Sequence, residues 1–275
     1  MLKVIDVDGL FSEFISDYVY KNVGKTSPEE IENRVSELYL EFGDRKLPAL
    51  DGLSPNEYYK KATAKELVEL LKRHLDNGVE VPDFLCEALT EKEDGATALI
   101  DGLKKSEEEQ LLLYLMNMLD GKDLTSALER LINLIEWDYT EPVREQATAM
   151  LYDYANAVKD LLLSRIDQVD MVRRACFVEI LSHAEKDQRV FDLLIEEFLK
   201  NQNQIPLYAG YLGKYGDEKA LPYLYEAIEK EKIDYNDFEE LRFAIETLGG
   251  EYTKERDFSR DKAYKKIKES KNKPN

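Results

Sequence analysis

Two acidic residues near the start of the chain have a spacing that could support chemistry. Asp6 and Asp8 are separated by one residue, and Gly9 follows them. A carboxylate held in such a loop can act as a nucleophile or bind a metal ion. Calcium does not suit this loop, because Leu10 and Glu13 break the alternation of oxygen ligands that a calcium loop needs.

The same stretch superficially resembles the D-x-D-G nucleophile loop of haloacid dehalogenase-like phosphatases. That resemblance implies a parallel sheet behind the loop, a threonine or similar residue after the glycine, and a downstream lysine and acidic pair that hold magnesium. In this chain Leu10 follows the glycine, and helical patterns follow the loop. We therefore interpret residues 4–10 as the cap that starts the first helix.

Residues suited to zinc binding or nucleophilic catalysis are few and isolated. Neither His74 nor His183 lies within a few residues of a cysteine, so that zinc would lack ligands. Cys86 and Cys176 have no C-x-x-C spacing, no serine stands in a Gly-x-Ser-x-Gly turn, and no glycine loop could cradle a phosphate. We expect both cysteines to be buried thiols, and each histidine to be exposed or to cap a helix end. The sequence predicts no metal and no cofactor, and it favours a non-catalytic protein.

The charge of the chain is negative and unevenly placed. The net charge is −19, and residues 254–275 carry nine basic and four acidic side chains, so that the first 253 residues carry −24. Such an acidic body repels a phosphate backbone, which argues against nucleic acid as the main partner. We expect the acidic runs at residues 107–109, 196–197 and 239–240 to lie at helix N-termini or on solvent faces.

The composition is that of a globular protein without a membrane segment. Hydrophobic residues make up 43% of the chain and charged residues 35%. No apolar run approaches the roughly 18 residues that a membrane helix requires, and the acid at Asp6 stands where a signal peptide would be apolar. These features predict a cytoplasmic protein with no membrane partner.

Helical patterns cover nearly the whole chain, and several helix starts are marked by a hydroxyl residue with Glu three positions later. This capping-box pattern begins at Ser27, Ser54, Thr63 and Ser106. The turn at Asp51 and the proline after Ser54 predict a break followed by a new helix. The first helices are predicted over residues 10–20, 28–42, 65–76, 82–90 and 96–103. Five pairs follow, over 107–119 with 124–136, 142–154 with 157–167, 170–183 with 187–200, 204–215 with 218–230, and 235–248 with a basic helix near 259–269; we expect residues 271–275 to be disordered.

One apolar pattern recurs along the second helices of these pairs. It starts at Ala127, Ala157, Val190 and Ala220, at intervals of 30, 33 and 30 residues. Apolar residues fall at offsets that form one face of a helix. A fixed period in this range is typical of a solenoid of helix pairs, in which each pair buries its apolar face only against its neighbours.

The motifs within this period resemble those of HEAT repeats. Val172-Arg173-Arg174-Ala175 and Val143-Arg144-Glu145-Gln146-Ala147 are similar to the V-R-x-x-A core of the repeat's first helix, and residues 216–224 are similar to its turn and second helix. The resemblance covers about residues 141–250, extends less well back to 106, and is absent from the first 90. Ile205-Pro206 replaces the Val-Arg pair in one repeat, and the helix at Phe238 has lost it.

This resemblance implies an all-α fold, a right-handed α-α superhelix of HEAT-like type with a helical N-terminal region. We predict a helical N-terminal region at residues 1–93, a HEAT-like solenoid at 94–253, and a basic C-terminal helix and tail at 254–275. HEAT-type solenoids are mostly scaffolds and adaptors that hold a protein along the concave side. A minority attach bilins to light-harvesting proteins, and others excise alkylated bases from DNA with Trp, Asp and Arg side chains on a basic face. Trp137 and Asp138 match two of those residue types, but this acidic chain lacks the basic face.

The second helices carry more apolar residues beside their core positions than a helix buried on one side needs. Either these helices are buried over a wide face, or they line an apolar groove for a partner. A tyrosine stripe one helix earlier has the same two interpretations, core packing or an interface. The predicted partner-binding residues are Leu162, Leu163, Ile166, Ile195, Leu199, Tyr208, Tyr211, Tyr215 and Tyr225.

Together these features favour a non-catalytic scaffold or adaptor that binds a protein or peptide of basic character along its concave surface. One alternative is a HEAT-like lyase or enzyme accessory that acts on a protein-bound small molecule. The other is nucleic-acid binding of the HEAT-like DNA glycosylase kind, which the acidic body disfavours. Partner identity and oligomeric state leave no mark in the sequence.

The charge distribution gives a first test. We expect the purified chain to pass through a heparin column at physiological salt, because its acidic body repels the sulfated polymer. Retention of the full chain that is lost when residues 254–275 are deleted would instead support nucleic-acid binding through the basic end.

Overall fold

The computed structural model describes residues 2–22 and 27–271, and within those ranges the chain is helical and contains no β-strand. The prediction of an all-α fold is therefore confirmed. Three short 3-10 turns, Pro48–Leu50, Tyr152–Tyr154 and Glu218–Ala220, accompany the α-helices. The α-helices are α1 Val7–Asn22, α2 Pro28–Asn33, α3 Val35–Gly43, α4 Pro55–Lys60, α5 Ala64–Asp76, α6 Asp83–Thr90, α7 Gly95–Lys105, α8 Glu109–Met118, α9 Leu128–Glu136, α10 Glu141–Met150, α11 Ala155–Arg165, α12 Met171–Leu181, α13 Gln188–Lys200, α14 Ile205–Tyr215, α15 Leu221–Ile228, α16 Tyr235–Thr247 and α17 Lys262–Lys271.

Most predicted helices are present, with ends that differ by a few residues. The helix predicted over residues 28–42 is two helices, because the chain turns at Arg34 between α2 and α3. The basic helix predicted near 259–269 is α17. Of the tail predicted to be disordered, residues 272–275 lie outside the described residues.

The capping-box prediction is confirmed at three helix starts. Thr63 Oγ1 accepts from the Glu66 amide at 3.3 Å, and the Glu66 carboxylate accepts from the Thr63 amide at 2.9 Å. Ser27 and Ser54 make the same reciprocal pair with the glutamate three residues on. Each pair satisfies two amides that a helix start would otherwise leave without partners.

The fourth capping box, predicted at Ser106, is wrong. Ser106 is the extended residue that ends α7, and α8 begins later, at Glu109. The Glu109 carboxylate instead accepts from the Thr140 amide at 2.9 Å, while the Ser106 and Leu103 carbonyls accept from the buried Arg130. Ser106 Oγ accepts from the Glu108 amide at 3.2 Å, and the reciprocal pair with Glu109 that the sequence pattern predicted is not formed.

The carboxylates at the chain start act as a helix cap, as expected. Asp6 Oδ1 accepts from the Gly9 amide at 2.7 Å, at the start of α1. The turn that leads into α4 is also as predicted, since Asp51 and Gly52 both have positive φ angles, of 56° and 79°.

The chain divides into two compact units. The first unit runs to Arg130 and includes Tyr139–Gln146; the second comprises Leu131–Asp138 and the chain from Ala147 onward. The boundary predicted between residues 93 and 94 lies inside the first unit, and the predicted start of the tail lies inside the second. In the first unit α1 packs on α3, α4 packs on α3 and α6, and α5 packs on α6, α7 and α8.

In the second unit, consecutive helices pack in a chain of contacts. α12 packs on α11 and α13, α14 on α13 and α16, and α16 on α15 and α17. The α14 and α16 helices approach closely at Gly213, where an added Cβ would lie 3.6 Å from the Ala244 Cα atom. Gly216 ends α14 in the left-handed conformation, with φ of 75°, which glycine adopts without steric cost.

Within residues 2–22 and 27–271, no helix is long and apolar enough to span a bilayer.

The capping boxes give a test of the helix starts. Thr63→Ala should lower the free energy of unfolding by about 1 kcal/mol, because it leaves the Glu66 amide without its acceptor. Ser12→Ala, which removes an exposed hydroxyl with no capping role from α1, should change it by less than about 0.5 kcal/mol. Urea unfolding followed by far-ultraviolet circular dichroism measures both; equal losses would contradict the assignment.

Candidate functional site

The nine predicted partner-binding residues differ widely in exposure. Leu199 is exposed, at 51% of its maximum, and Leu163, Tyr211 and Tyr225 are partly exposed. The other five are at most 7% exposed: Leu162, Ile166, Ile195, Tyr208 and Tyr215. These five side chains contribute to the core of the second unit, so that no partner could contact them without rearrangement of that core.

The burial of three second-helix residues fits the wide-face alternative. Leu162 lies in the last turn of α11, and Ile166 follows its last residue. Ile195 lies on α13, where Leu193 and Leu194 are also buried. A helix with neighbours on two sides buries a wide apolar face, and each large apolar side chain buried this way contributes about 1.5–3 kcal/mol. Whether the exposed and partly exposed members bind a partner stays a prediction.

Two members of the tyrosine stripe have structural partners. The Tyr215 hydroxyl accepts from the Asp187 amide at 2.6 Å and donates to the Asp187 carbonyl at 2.9 Å, which ties the end of α14 to the start of α13. Tyr208 is buried, and burial followed by the charge of Glu197 raises the pKa of its phenol.

Glu197 departs from the expected position of the acidic runs. It was expected at a helix N-terminus or on a solvent face, but it is 6% exposed. Arg174 Nε lies 2.9 Å from Glu197 Oε1, and Asn201 Nδ2 lies 3.1 Å from Glu197 Oε2. A buried carboxylate needs such partners because an unpaired charge in the interior is costly. Arg174 therefore acts as an internal ion-pair residue that joins α12 to α13.

The third tyrosine of the stripe, Tyr211, belongs to a polar cluster. The Glu179 carboxylate on α12 accepts hydrogen bonds from Tyr152 and from Tyr211. The Tyr152 ring stacks on the His183 ring, with centroids 4.0 Å apart and an interplanar angle of 11°. We call these four residues the Tyr–Glu cluster; all of them are partly exposed.

The protonation states in the Tyr–Glu cluster follow from its surroundings. Burial first, and then the charge of Glu179, raises the pKa of Tyr211, so that its phenol stays protonated and can donate. Burial first, and then the charge of Lys214, lowers the pKa of His183, against the opposing effects of Glu179 and Asp153. At neutral pH the Tyr211 phenol is therefore a hydrogen-bond donor and the His183 imidazole is neutral.

Exposed apolar side chains lie on three first helices of the pairs, two of which also carry members of this cluster. Met171 is 81% exposed and Val172 54% on α12, Leu207 is 43% exposed on α14, and Phe243 is 66% exposed on α16. The Tyr211–Glu179 hydrogen bond joins α14 to α12, and α14 packs directly on α16. We call these four apolar residues together with the Tyr–Glu cluster the first-helix surface.

Single exposed apolar residues are common on proteins, but this set is repeated on three neighbouring helices. Gly210 adds open space between Leu207 and Tyr211, because a Cβ added there would meet no atom within 4 Å. Apolar side chains next to tyrosines and a carboxylate can bind a segment that combines apolar and cationic groups. The set contains no activated nucleophile, and in the described ranges no three His, Cys, Asp or Glu side chains come together as metal ligands would.

The sequence patterns pointed to the second helices and left most of this surface unpredicted. Alignment of the first helices would not have found Val172, because it matches Val143, which is 0% exposed whereas Val172 is 54% exposed. Tyr211 was identified from its spacing, but its partners Glu179 and Tyr152 lie 32 and 59 residues away in sequence. Such contacts leave no local pattern.

A groove of about 750 Å³ lies in the first unit, between α5 and α7, with the start of α8 at one end. Its walls carry four basic and four acidic side chains in a mixed arrangement that selects neither sign of charge: Lys65, Lys72, Arg73 and Lys105, and Glu66, Glu69, Asp94 and Asp101.

The isolated histidines and cysteines differ from expectation in burial. His74 lies at the end of α5 but is 0% exposed, and its Nδ1 is 2.8 Å from the Glu80 carbonyl. Cys86 and Cys176 are partly exposed, not buried. Burial within the first unit still raises the pKa of Cys86 to about 12, which keeps its thiol protonated and unreactive.

Trp137 is 47% exposed, and its carbonyl accepts from Arg173.

Comparison with known proteins adds no assignment. The chain matches no model of a protein family, no curated protein and no solved structure.

The two histidines provide a pH test of the site. Because burial lowers both pKa values below about 6.5, the unfolded chain takes up protons first as the pH falls, and stability decreases from about pH 6.5 toward the folded values. Nuclear magnetic resonance titration should give two imidazoles that both titrate below about 6.5, with His183→Gln assigning the signals. A His183 midpoint above that value would show that Glu179 and Asp153 outweigh burial and Lys214.

Proposed function

We propose that this chain is a cytoplasmic, non-catalytic scaffold that binds a basic, amphipathic segment of another protein on the first-helix surface. We further propose that the helix pairs of the second unit stack as a right-handed solenoid of the HEAT type. The resemblance of Val172-Arg173-Arg174-Ala175 to the repeat core supports this arrangement, as does the succession of contacts from α11 to α16. The oligomeric state is not part of the proposal.

The observation that carries the proposal is the exposure of large apolar side chains on three neighbouring first helices. Met171 and Phe243 are 81% and 66% exposed, although burying either would be favourable by about 1.5–3 kcal/mol. Folding does not require these side chains to be apolar. A partner that covers them would gain that free energy, which is a reason for apolar residues at these positions.

The charge of the protein favours a basic partner over an acidic one. The net charge is −19, and long-range attraction to a cationic segment raises the rate of encounter. The Tyr–Glu cluster offers a specific contact, since a carboxylate that accepts hydrogen bonds from two phenols has lone pairs left for a lysine or arginine donor. The half-exposed rings of Tyr152 and Tyr211 can also stack against a cation.

The proposal is tested with a defined probe. A fluorescein-labelled helical peptide with Leu on one face and Lys on the other should bind the chain, and the affinity should fall as salt is raised. The double variant Met171→Ser, Phe243→Ser should bind about tenfold more weakly or worse, because 1.4 kcal/mol of lost apolar burial is already a factor of ten. Fluorescence anisotropy measures both.

The matched control removes two equally exposed apolar side chains from the first unit. Tyr20 is 82% exposed and Leu40 71% exposed, and Tyr20→Ser, Leu40→Ser should bind the peptide as the wild type does. Equal weakening by both double variants would contradict the proposal. So would equal binding of a second peptide in which Glu replaces every Lys, since the acidic surface should repel it.

A further inference from the structure

His183 is the member of the first-helix surface whose side chain changes charge between about pH 5 and 8. It follows Ser182, the residue that caps the C-terminal end of α12, and its side chain is partly exposed. Protons can therefore reach the imidazole without unfolding of the second unit. A histidine in such a position can couple the binding of a charged partner to pH.

A stacked ring connects His183 to the carboxylate of the Tyr–Glu cluster. The imidazole lies face to face with the Tyr152 ring, with the centroids 4.0 Å apart and the planes 11° from parallel. The hydroxyl of the same Tyr152 donates to Oε1 of Glu179. The imidazole and the carboxylate are therefore separated by about one aromatic ring, which is less than the roughly 10 Å over which 0.1 M salt screens charges.

The charged groups around His183 come from three elements. Burial has the largest effect on the pKa of His183 and lowers it, and Lys214 on α14 lowers it further. Glu179 on α12 and Asp153, in the short 3-10 turn before α11, oppose both effects. Helices α11 and α13 also pack on α12, and none of these charged groups lies on them. His183 thus gains its charge below about pH 6.5, where most carboxylates are still ionised.

Protonation of His183 changes what Glu179 can bind. Beside a neutral imidazole, the carboxylate keeps its negative charge and its remaining lone pairs for a lysine of the partner. An imidazolium in the same place repels a cationic side chain, and it also offers the carboxylate an N–H donor from within the protein. Both effects weaken the binding of a basic partner, whereas the apolar contacts of Met171 and Phe243 do not titrate.

We propose that His183 makes the first-helix surface sensitive to pH, so that the surface holds a basic, amphipathic segment at neutral pH and releases it when the imidazole gains a proton. This inference rests on the proposed function, because it concerns the regulation of the same surface. Tyr152 is the positioning residue of this device, since its ring holds the imidazole and its hydroxyl holds the carboxylate.

The device is tested by anisotropy titrations at about pH 7.5 and about pH 5, at one ionic strength. The probe is the peptide with Leu on one face and Lys on the other, labelled with tetramethylrhodamine because the emission of fluorescein depends on pH in this range. The wild type should bind the peptide at least about threefold more weakly at the lower pH. Repulsion between two unit charges several ångströms apart changes an affinity by about this factor even in a medium as polar as water.

Three variants assign the pH response to one imidazole. His183→Gln removes the titrating group and should bind with nearly the same affinity at both pH values. His183→Arg places a permanent, planar cation against Tyr152 and should bind more weakly than His183→Gln at both. His74→Gln removes the other histidine, in the first unit, and should keep the response of the wild type. Circular dichroism at both pH values restricts the comparison to folded protein.

The outcomes separate this inference from the function on which it rests. Equal affinity of the wild type at both pH values overturns the inference and leaves the proposed function standing. A response of His183→Gln as large as that of the wild type does the same, because other groups would then be responsible. Absence of binding to the wild type at about pH 7.5 overturns the proposed function, and this inference with it.

Discussion

The helices of the second unit are too short to be stable alone, and the rest of the structure depends on that constraint. The second unit is built from helices such as α15, with 8 residues, and α13, with 13, whereas isolated helices shorter than about 12–15 residues are marginal in water. Each must bury an apolar face against its neighbours, and the close approach at Gly213 and the core residues of α12 to α16 provide that burial. Apolar side chains outside these contacts are therefore not explained by folding, which is why the exposure of Met171 and Phe243 carries weight.

Buried polar contacts then determine how the helices are positioned. Arg174 pairs with the buried Glu197 and joins α12 to α13, and Tyr215 bonds the backbone of Asp187. These bonds add little net free energy, since desolvation offsets much of their attraction, but breaking one leaves a buried group unpaired. They place α12 and α14 so that Tyr211 reaches Glu179. In the described part of the first unit, the hydroxyls of Tyr39 and Tyr59 and Nε2 of His74 depart from this rule, because they are buried without a hydrogen-bond partner.

The sequence predicted the helices well because their signals are local: an apolar period near 3.6 residues, and hydroxyl caps such as Thr63 with Glu66. It failed where the outcome depends on a partner distant in sequence. Glu109 bonds Thr140 and does not complete a capping box with Ser106, and Glu197 is buried because Arg174 reaches it. The residues of the candidate site also differ in whether a local sequence pattern predicts them. Tyr211 was found from its spacing, whereas its partners Glu179 and Tyr152 lie 32 and 59 residues away and share no local pattern with it.

In the proposed complex the first helices, and not the second, present the binding surface. Hydrogen exchange of the full chain with and without the Leu/Lys peptide distinguishes the two, because amide protection reports which helices a bound partner stabilises. We expect slower exchange in α12, α14 and α16 when the peptide is bound. Slower exchange confined to the second helices α11, α13 and α15 would contradict it and would restore the concave surface that the sequence alone suggested.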